Sequence, residues 1–566
     1  MLIVILSWLY IGVICLSIGI GVFNLVERLL KRSFKRNEFH YIVAGLVTIT
    51  VYVQYFSLIG SIGYVAHLLM LILAALGAWF NRQALIVGLK RHLRKEFFWE
   101  GLFYVGIVIL FAFFTSRGEF HTDTGIYHGQ AIRWYEEYGV VKGLGNLQLH
   151  YAYNSSYLAF ASIFSMFAIL GTSLHTTTGF MEILLCIYAC HGLIGFWQRK
   201  NRCADFCRIA IMIYLISIIV RSMSPATDYG TMMMAFYLLL RWVEIWKEGG
   251  GQSIGDKNYD YGLLAVLAVF VMTMKLSAAT LLLLAILPAW YLVKGKEWHR
   301  IVVYILLGVV ILLPFLVRNV IISGWLVYPF AAIDWFTVDW KIPKEYLAVD
   351  VAQITVWGRN LFDIGKIDMP LREWVPIWWQ AHERYDRMML TAVVGAVILG
   401  GGQVLWRLVR RREDSAAFVV LYLNLLAGLL VWFFMAPFIR YGLVFILLLP
   451  AVAMGELLSY DHKGAGAIAV GMMTAWIYIA FSPFVYNYIT VAGVFAKQNV
   501  SAPYYLMPQD YDQPATKVLM MGTTAFYVPL DSEYLSYYDF PGSCYGFMVE
   551  RSEMRGETIA DGFRAK

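Results

Sequence analysis

Apolar runs of about 20 residues recur from the first residues of this chain to beyond position 480, and no other feature constrains its fold so strongly. A hydrocarbon layer about 30 Å thick needs about 20 apolar residues per helix, and inside it every backbone polar group must be paired. Composition agrees with that demand. Of 566 residues, 60% are hydrophobic and 15% charged, and the mean hydropathy of +0.63 excludes an ordinary soluble domain. The expectation is an all-α, multi-pass membrane protein. Its first run, "MLIVILSWLYIGVICLSIGIGVFNLVERLL", carries its basic cluster (Arg28, Lys31, Arg32, Lys35, Arg36) after the apolar residues, so it reads as a retained helix rather than a cleaved signal. Six cysteines are scattered, with Cys15, Cys186 and Cys190 inside apolar runs, which suggests neither a disulfide framework nor a zinc site. Cys203 and Cys207 are a lone pair where a structural zinc site needs four ligands.

Lys and Arg gather on the cytoplasmic side of membrane proteins. The basic runs at 28–36 and in "NRQALIVGLKRHLRKE", "QRKNRCADFCR", "KGKEWHR" and "RLVRRRED" then orient about fourteen transmembrane helices. These fall near 3–26, 41–59, 62–80, 98–115, 176–197, 209–222, 229–246, 261–274, 278–293, 301–317, 389–409, 416–434, 443–458 and 465–484. The stretch from Tyr261 to Val293 is too long for one crossing at about 1.5 Å per residue, so it is split at "MKLS". Residues 1–97 form an N-terminal set of helices. Residues 98–484 form the main membrane domain, with long outer loops at 116–175 and 318–388, and 485–566 form a small extracytoplasmic segment with a little strand. Within the first loop, "NSSYLAFASIFSMFAIL" is expected to lie on or dip into the outer leaflet, a full crossing being the alternative.

The densest polar chemistry follows the fourth apolar run, in "SRGEFHTDTGIYHGQAIRWYEEYG". Tyr127, Ala131, Trp134, Tyr135 and Tyr138 share one helical face, opposite Gln130, Arg133, Glu136 and Glu137, the pattern of an interfacial helix. Asp123 or Thr124 is placed to cap it. Capping alone does not require Glu119, His121 and His128 within five residues of Asp123, and such a density of titratable groups points to a site. Asp228, Lys275, Arg318 and Arg440 each stand at the end of an apolar run on the same side. Charges at that depth are expensive in lipid, and Lys and Arg suit an anionic phosphate headgroup. "SGWLVYPFAAIDWFTVDWKIP" adds Trp325, Tyr328, Trp335, Phe336 and Trp340, either an interfacial belt or a surface for a sugar ring or lipid tail. Asn154 and Asn499 match the glycosylation acceptor pattern.

Together, "TDTGIYHGQAIRWYEEYGVVKGLGNL", "YNSSY", "SPATD", "TMKLSA", "RNVIISGWLVYP", "VDWKIP" and "FIRYG" resemble a family of large bacterial multi-pass membrane proteins, mostly uncharacterised. More distantly the chain resembles the C-type (GT-C) glycosyltransferases. That resemblance implies a GT-C-like fold in the plasma membrane with its active site on the extracytoplasmic side. It also implies transfer of a sugar from a polyprenyl-phosphate donor, with inversion, to a cell-envelope glycan or glycolipid acceptor. Asp123 then falls in the place of the catalytic base, with Glu119 as a possible second acid. His121, Tyr127, His128, Asp228, Lys275, Arg318 and Arg440 become the substrate-binding candidates. Many relatives carry two adjacent acids where this chain has Thr122 and Asp123, which leaves open whether a divalent cation takes part. The lipid bilayer is the other expected partner, and nucleic acid is not. Two rival readings are a transporter or flippase of a lipid-linked or anionic substrate, and a polysaccharide polymerase or ligase using a polyprenyl-diphosphate donor.

Overall fold

The computed structural model describes residues 1–34, 37–92, 98–193, 203–247, 254–411, 414–458, 468, 470–482, 504–535 and 537–566. The chain opens with α1 (Leu2–Leu30), α2 (Glu38–Ser57) and the pair α3 (Tyr64–Phe80) and α4 (Arg82–His92), bent by 77° where they meet, followed by α5 (Phe98–Ser116). Short elements come next: a π-helical turn at Thr124–His128, α6 (Gly129–Glu137), α7 (Leu144–Leu147), α8 (Ser156–Phe164) and α9 (Phe167–Leu170). The chain then returns through α10 (Thr177–Leu193), α11 (Cys203–Ile218), α12 (Thr227–Lys247) and α13 (Ile254–Met274). Lys275 adopts an extended backbone and breaks the next apolar run, which resumes as a tight 3-10 stretch (Leu276–Ala285) leading into α14 (Ile286–Lys294). The long α15 (Trp298–Ser323) is followed by α16 (Lys344–Gly358), α17 (Leu371–Ala381), α18 (Arg384–Val409), α19 (Ser415–Met435), α20 (Ile439–Leu457) and α21 (Val470–Ser482).

Among the described residues, nine helices are long and apolar enough to cross a membrane, or ten if the bent pair α3 and α4 counts as one span. Fourteen were expected. The other four expected spans are helical too, but α10 and α21 are short, and α12 and α13 carry more polar and charged residues. In α12 those charges are paired inside protein. Arg208 meets Asp205 at 2.8 Å and Glu244 at 2.5 Å, Arg241 meets Glu244 at 2.6 Å, and Lys247 meets Glu456 at 2.6 Å. Large apolar side chains exposed on α3, α5, α15 and α18, among them Leu68, Leu102, Leu306 and Ile398, form a surface that suits lipid.

Glycines set the packing of the first three helices. A Cβ at Gly19 would stand 1.7 Å from the Tyr41 carbonyl, one at Gly45 1.9 Å from that of Cys15, and one at Gly77 2.1 Å from that of Ser17. Backbones approach this closely only where side chains are absent. Asn37 starts α2 by accepting the His40 N–H at 3.0 Å, a side-chain cap of the usual kind. Trp8 and Ser7 of α1 then bond to Thr176 just before α10. The N-terminal helices are therefore part of the main core.

Two expectations about the first loop need correction. All nine residues of α8 are buried, packed among protein rather than laid on a leaflet. In α6 the polar face is buried along with the aromatic one, because the C-terminal segment covers it. Arg133 lies 4.0 Å over the Phe167 ring and 5.2 Å over Tyr537, while Glu136 accepts hydrogen bonds from Ser165 and Tyr537. That C-terminal segment holds the hairpin β1 (Thr516–Met521) and β2 (Thr524–Pro529), then α22 (Gly546–Glu550) and the pair β3 (Ser552–Met554) and β4 (Phe563–Ala565).

Candidate functional site

One end of the bundle gathers the start of the first polar loop, the N-termini of α12 and α20 and the C-termini of α13 and α15. They surround a cavity of about 1130 Å³ whose lining includes Asp123, Tyr127, Asp228, Lys275, Arg318 and Arg440. Small-molecule sites commonly measure about 300–1,000 Å³, so this volume admits an extended ligand. All five charges chosen at run ends or in the first loop as principal candidates therefore meet in one place.

Asp123 sits in the first helical turn, with φ −62° and ψ −19°, and its carboxylate makes no capping hydrogen bond. His121 caps through its carbonyl, which accepts the Thr124 N–H at 2.8 Å, while its Nδ1 stands 3.1 Å from the Asp123 nitrogen. The Asp123 carboxylate is left facing Arg440 Nη2 at 4.0 Å and His121 Nδ1 at 3.6 Å. Burial pushes this carboxyl up, but the surrounding groups, the cations Arg440 and Lys275 among them, outweigh it and hold the group below the ordinary carboxylate range. It is ionised at neutral pH.

Arg440 is placed by two bonds, donating from Nη1 to His121 Nε2 at 2.8 Å and from Nη2 to the Tyr441 hydroxyl at 3.0 Å. An arginine can only donate, so His121 Nε2 carries no proton and the ring is neutral. Burial lowers the His121 pKa, and Arg440 adds to that against the pull of Asp123. Lys275 pairs with Asp228 and lies 4.0 Å over the Tyr441 ring. It occupies the break between α13 and the 3-10 stretch, where an extended residue lets its side chain leave the helical run.

The remaining candidates separate. His128 is buried beside Tyr127, 3.5 Å from the Thr227 hydroxyl, and burial pushes its pKa down to about 3. It supports the wall that Tyr127 forms. Glu119 is absent from the cavity lining and stands 4.0 Å from Arg221, both partly exposed, so its expected part as a second catalytic acid has no geometric basis. Arg318 touches the cavity but is a fastener. Its Nε bonds Asn154 at 3.1 Å, its Nη1 bonds Ser57 at 2.5 Å and the Gly139 carbonyl at 3.1 Å, and the group lies 4.0 Å over Tyr135.

Of the five aromatic residues singled out in the second loop, Tyr328 lines the cavity. Trp325 donates to the Ile342 carbonyl within that loop and Trp340 to the Val320 carbonyl of α15, each at 3.0 Å. Asn154 is no glycosylation acceptor here, since its buried amide donates to Phe315 at 3.0 Å and Asn319 at 2.9 Å. Asn499 lies outside the described residues. Among the described residues no group of three or more His, Cys, Asp and Glu side chains could hold a metal ion. Asp123 and Asp228 face Arg440 and Lys275 rather than each other, which is not a cation's ligand set.

Sequence reasoning did not find His150, Tyr153, Asp350 and Arg551, which line the same cavity. Asp350 accepts from Tyr153 at 2.8 Å and Tyr328 at 3.4 Å. Arg551 comes from the C-terminal segment, which also supplies Glu533, Tyr545, Phe547 and Met548 to the wall. A family model described as Domain of unknown function (DUF8201) matches residues 1–447, so the C-terminal part of the wall lies beyond the matched region. No curated protein and no solved structure matches the chain.

Proposed function

The chain belongs to the DUF8201 family, and we propose that it is an integral membrane glycosyltransferase that moves a sugar from a polyprenyl-phosphate donor to a cell-envelope glycan or glycolipid. One observation carries this reading: Asp123 presents an ionised carboxylate, free of capping duty, to a large cavity in which Arg440 faces it. A base and an anion-binding cation side by side suit displacement of a phosphate by a hydroxyl.

In the proposed step the acceptor hydroxyl gives its proton to Asp123 as its oxygen attacks the anomeric carbon. The bond from that carbon to the phosphate oxygen breaks, and the electron pair leaves with polyprenyl phosphate. Attack from the face opposite the phosphate inverts the configuration. The charges balance as the step proceeds. Protonation removes the negative charge opposite Arg440 just as the leaving phosphate gains one, so Arg440 exchanges one anion for another without moving away. Lys275 is already neutralised by Asp228, and Arg318 is committed to protein groups. The net positive charge left for a ligand is small, which favours a monophosphate-linked donor over a diphosphate. The isoprenoid tail lies along the apolar wall, to which Met232, Leu281 and Val431 contribute. The same reading keeps the fourteen-span, GT-C-like arrangement, with the four shorter or more polar helices as crossings sheltered by protein, and puts the cavity on the extracytoplasmic side.

The test is release of polyprenyl phosphate from a panel of polyprenyl-phosphate sugars by the purified protein, beside Asp123→Asn. Release that the variant abolishes while its unfolding midpoint is unchanged supports transfer with Asp123 as base. No release from either protein over a broad donor and acceptor panel, or a product that retains its anomeric configuration, overturns it.

A further inference from the structure

A row of aromatic rings leads away from Asp123 inside the cavity. Tyr127 stacks on His150 at 5.2 Å, His150 meets Tyr153 at 5.7 Å, and Tyr153 meets Tyr328 at 5.8 Å. All four line the cavity, and so does Arg551. The Arg551 guanidinium lies against two rings, 3.9 Å from the Tyr346 centroid and 5.5 Å from that of Phe547. Its Nε and Nη2 are buried and have no hydrogen-bond partner among the described residues.

Buried polar atoms are almost always paired, and an unpaired charge is costly. The carboxylate of Asp350 is already engaged by Tyr153 and Tyr328, and Glu533 lines the cavity without an ion pair to Arg551 among the described residues. The rings pack against the guanidinium, and its Nε and Nη2 edge is unspent among the described residues. That geometry recognises a planar or tetrahedral oxyanion by paired hydrogen bonds. The aromatic row that connects it to Asp123 suits the apolar faces of sugar rings, and His150, kept neutral by burial, has an unpartnered Nδ1 on that path.

We propose that Arg551 anchors an oxyanion, a carboxylate or phosphate carried by a glycan acceptor, at the far end of a track along Tyr127, His150, Tyr153 and Tyr328. The identification of this glycan as the acceptor rests on the transferase reading; the anion site does not. The segment that supplies Arg551 lies beyond the family match, so acceptor choice is set by a part of the chain distinct from the proposed base.

The experiment is binding of a short oligogalacturonate, its carboxyl-reduced neutral form and a phosphorylated neutral oligosaccharide to the full-length protein in detergent. It is run for the native protein, Arg551→Gln, Arg551→Lys and Asp123→Asn. The native protein is expected to bind one of the two charged glycans at least about tenfold more tightly than the neutral one, as a charge-assisted pair supplies. Which glycan benefits distinguishes carboxylate from phosphate. Arg551→Gln is expected to lose that discrimination, Arg551→Lys to keep part of it and Asp123→Asn to keep it whole. Because the Arg551 side chain makes ring contacts but no hydrogen bond among the described residues, both of its variants should keep an unfolding midpoint close to the native one. Equal affinity of the native protein for charged and neutral glycans, or discrimination that survives Arg551→Gln, overturns the proposal. Discrimination that depends on Arg551 in a protein that releases no polyprenyl phosphate supports the anion site and removes the transferase reading alone.

Discussion

Two arginines at the same cavity illustrate how differently one residue type can be used. Arg440 is aimed at the cavity by His121 and Tyr441, whereas Arg318 bonds Asn154, Ser57 and Gly139 and so ties α15 to α2 and the first loop. Arg440→Lys should therefore weaken donor use, raising KM for the polyprenyl-phosphate sugar, at near-native stability, since an ammonium cannot keep both of those bonds. Arg318→Met should do the reverse. It strands buried partners and costs about 3 kcal/mol, read as a lower unfolding midpoint in detergent, with the donor KM of the surviving protein unchanged. His128 and Asp123 set a pH dependence. His128 titrates at about 3 in the folded protein against about 6.5 unfolded, so the unfolded state binds the proton more readily. Stability from this group is complete above pH 6.5 and falls below it by about 1.4 kcal/mol per unit until the folded value is reached. Asp123 acts in the same direction only at lower pH, because its folded pKa lies below the ordinary value. Unfolding midpoints measured from pH 7.5 down to 4.5 should decline, and the decline should be shallower in His128→Gln.

At the scale of elements, the cavity depends on segments that are neither spans nor simple loops. The π-helical turn and α6 carry Asp123 and Tyr127, and the C-terminal segment closes over them through paired polar contacts. Gln148 links the two: its Nε2 donates to the Ile126 carbonyl at 3.0 Å and its Oε1 accepts the Cys544 N–H at 2.8 Å. Gln130 does the same for Asp539 and Gly542, at 2.9 and 3.1 Å. Gln148→Ala leaves two buried backbone groups unpaired, at about 1–3 kcal/mol, and the loss should be local. Limited proteolysis should cut residues 504–566 faster in this variant while the helical bundle stays intact. The sequence suggested an amphipathic α6 facing lipid and water. It could not show that Arg133 and Glu136, polar by type, would be buried by rings more than 390 residues away.

For the whole molecule, the N-terminal helices are structural members rather than an added module. The close glycine contacts between α1, α2 and α3, and the Ser57 bond to Arg318, connect them to the site end. Deleting residues 1–92 should leave no folded monodisperse protein, and Gly45→Val alone should lower the yield of folded material on size exclusion. The side on which the cavity opens is a property of the whole chain in its membrane. Glu557 is exposed on the C-terminal segment, and the native cysteines are buried or only partly exposed. A Glu557→Cys variant should react with a membrane-impermeant maleimide in intact cells if the cavity is extracytoplasmic. Labelling only after lysis would place it inside.

A helical chain suited to a membrane is legible from residue order alone, because hydropathy and helix length are local quantities that a bilayer imposes on each segment separately. Residue order also picked out Asp123, Asp228, Lys275, Arg318 and Arg440, since a charge at the end of an apolar run is visible without a fold. What each of them contacts is set by the folded chain. Whether an arginine is spent on protein or free for a ligand depends on partners far away in the chain, as Ser57 is for Arg318 and His121 for Arg440. Arg551 and Asp350 had no local mark at all, and their meaning arises from a cavity assembled by chain segments that no spacing rule connects.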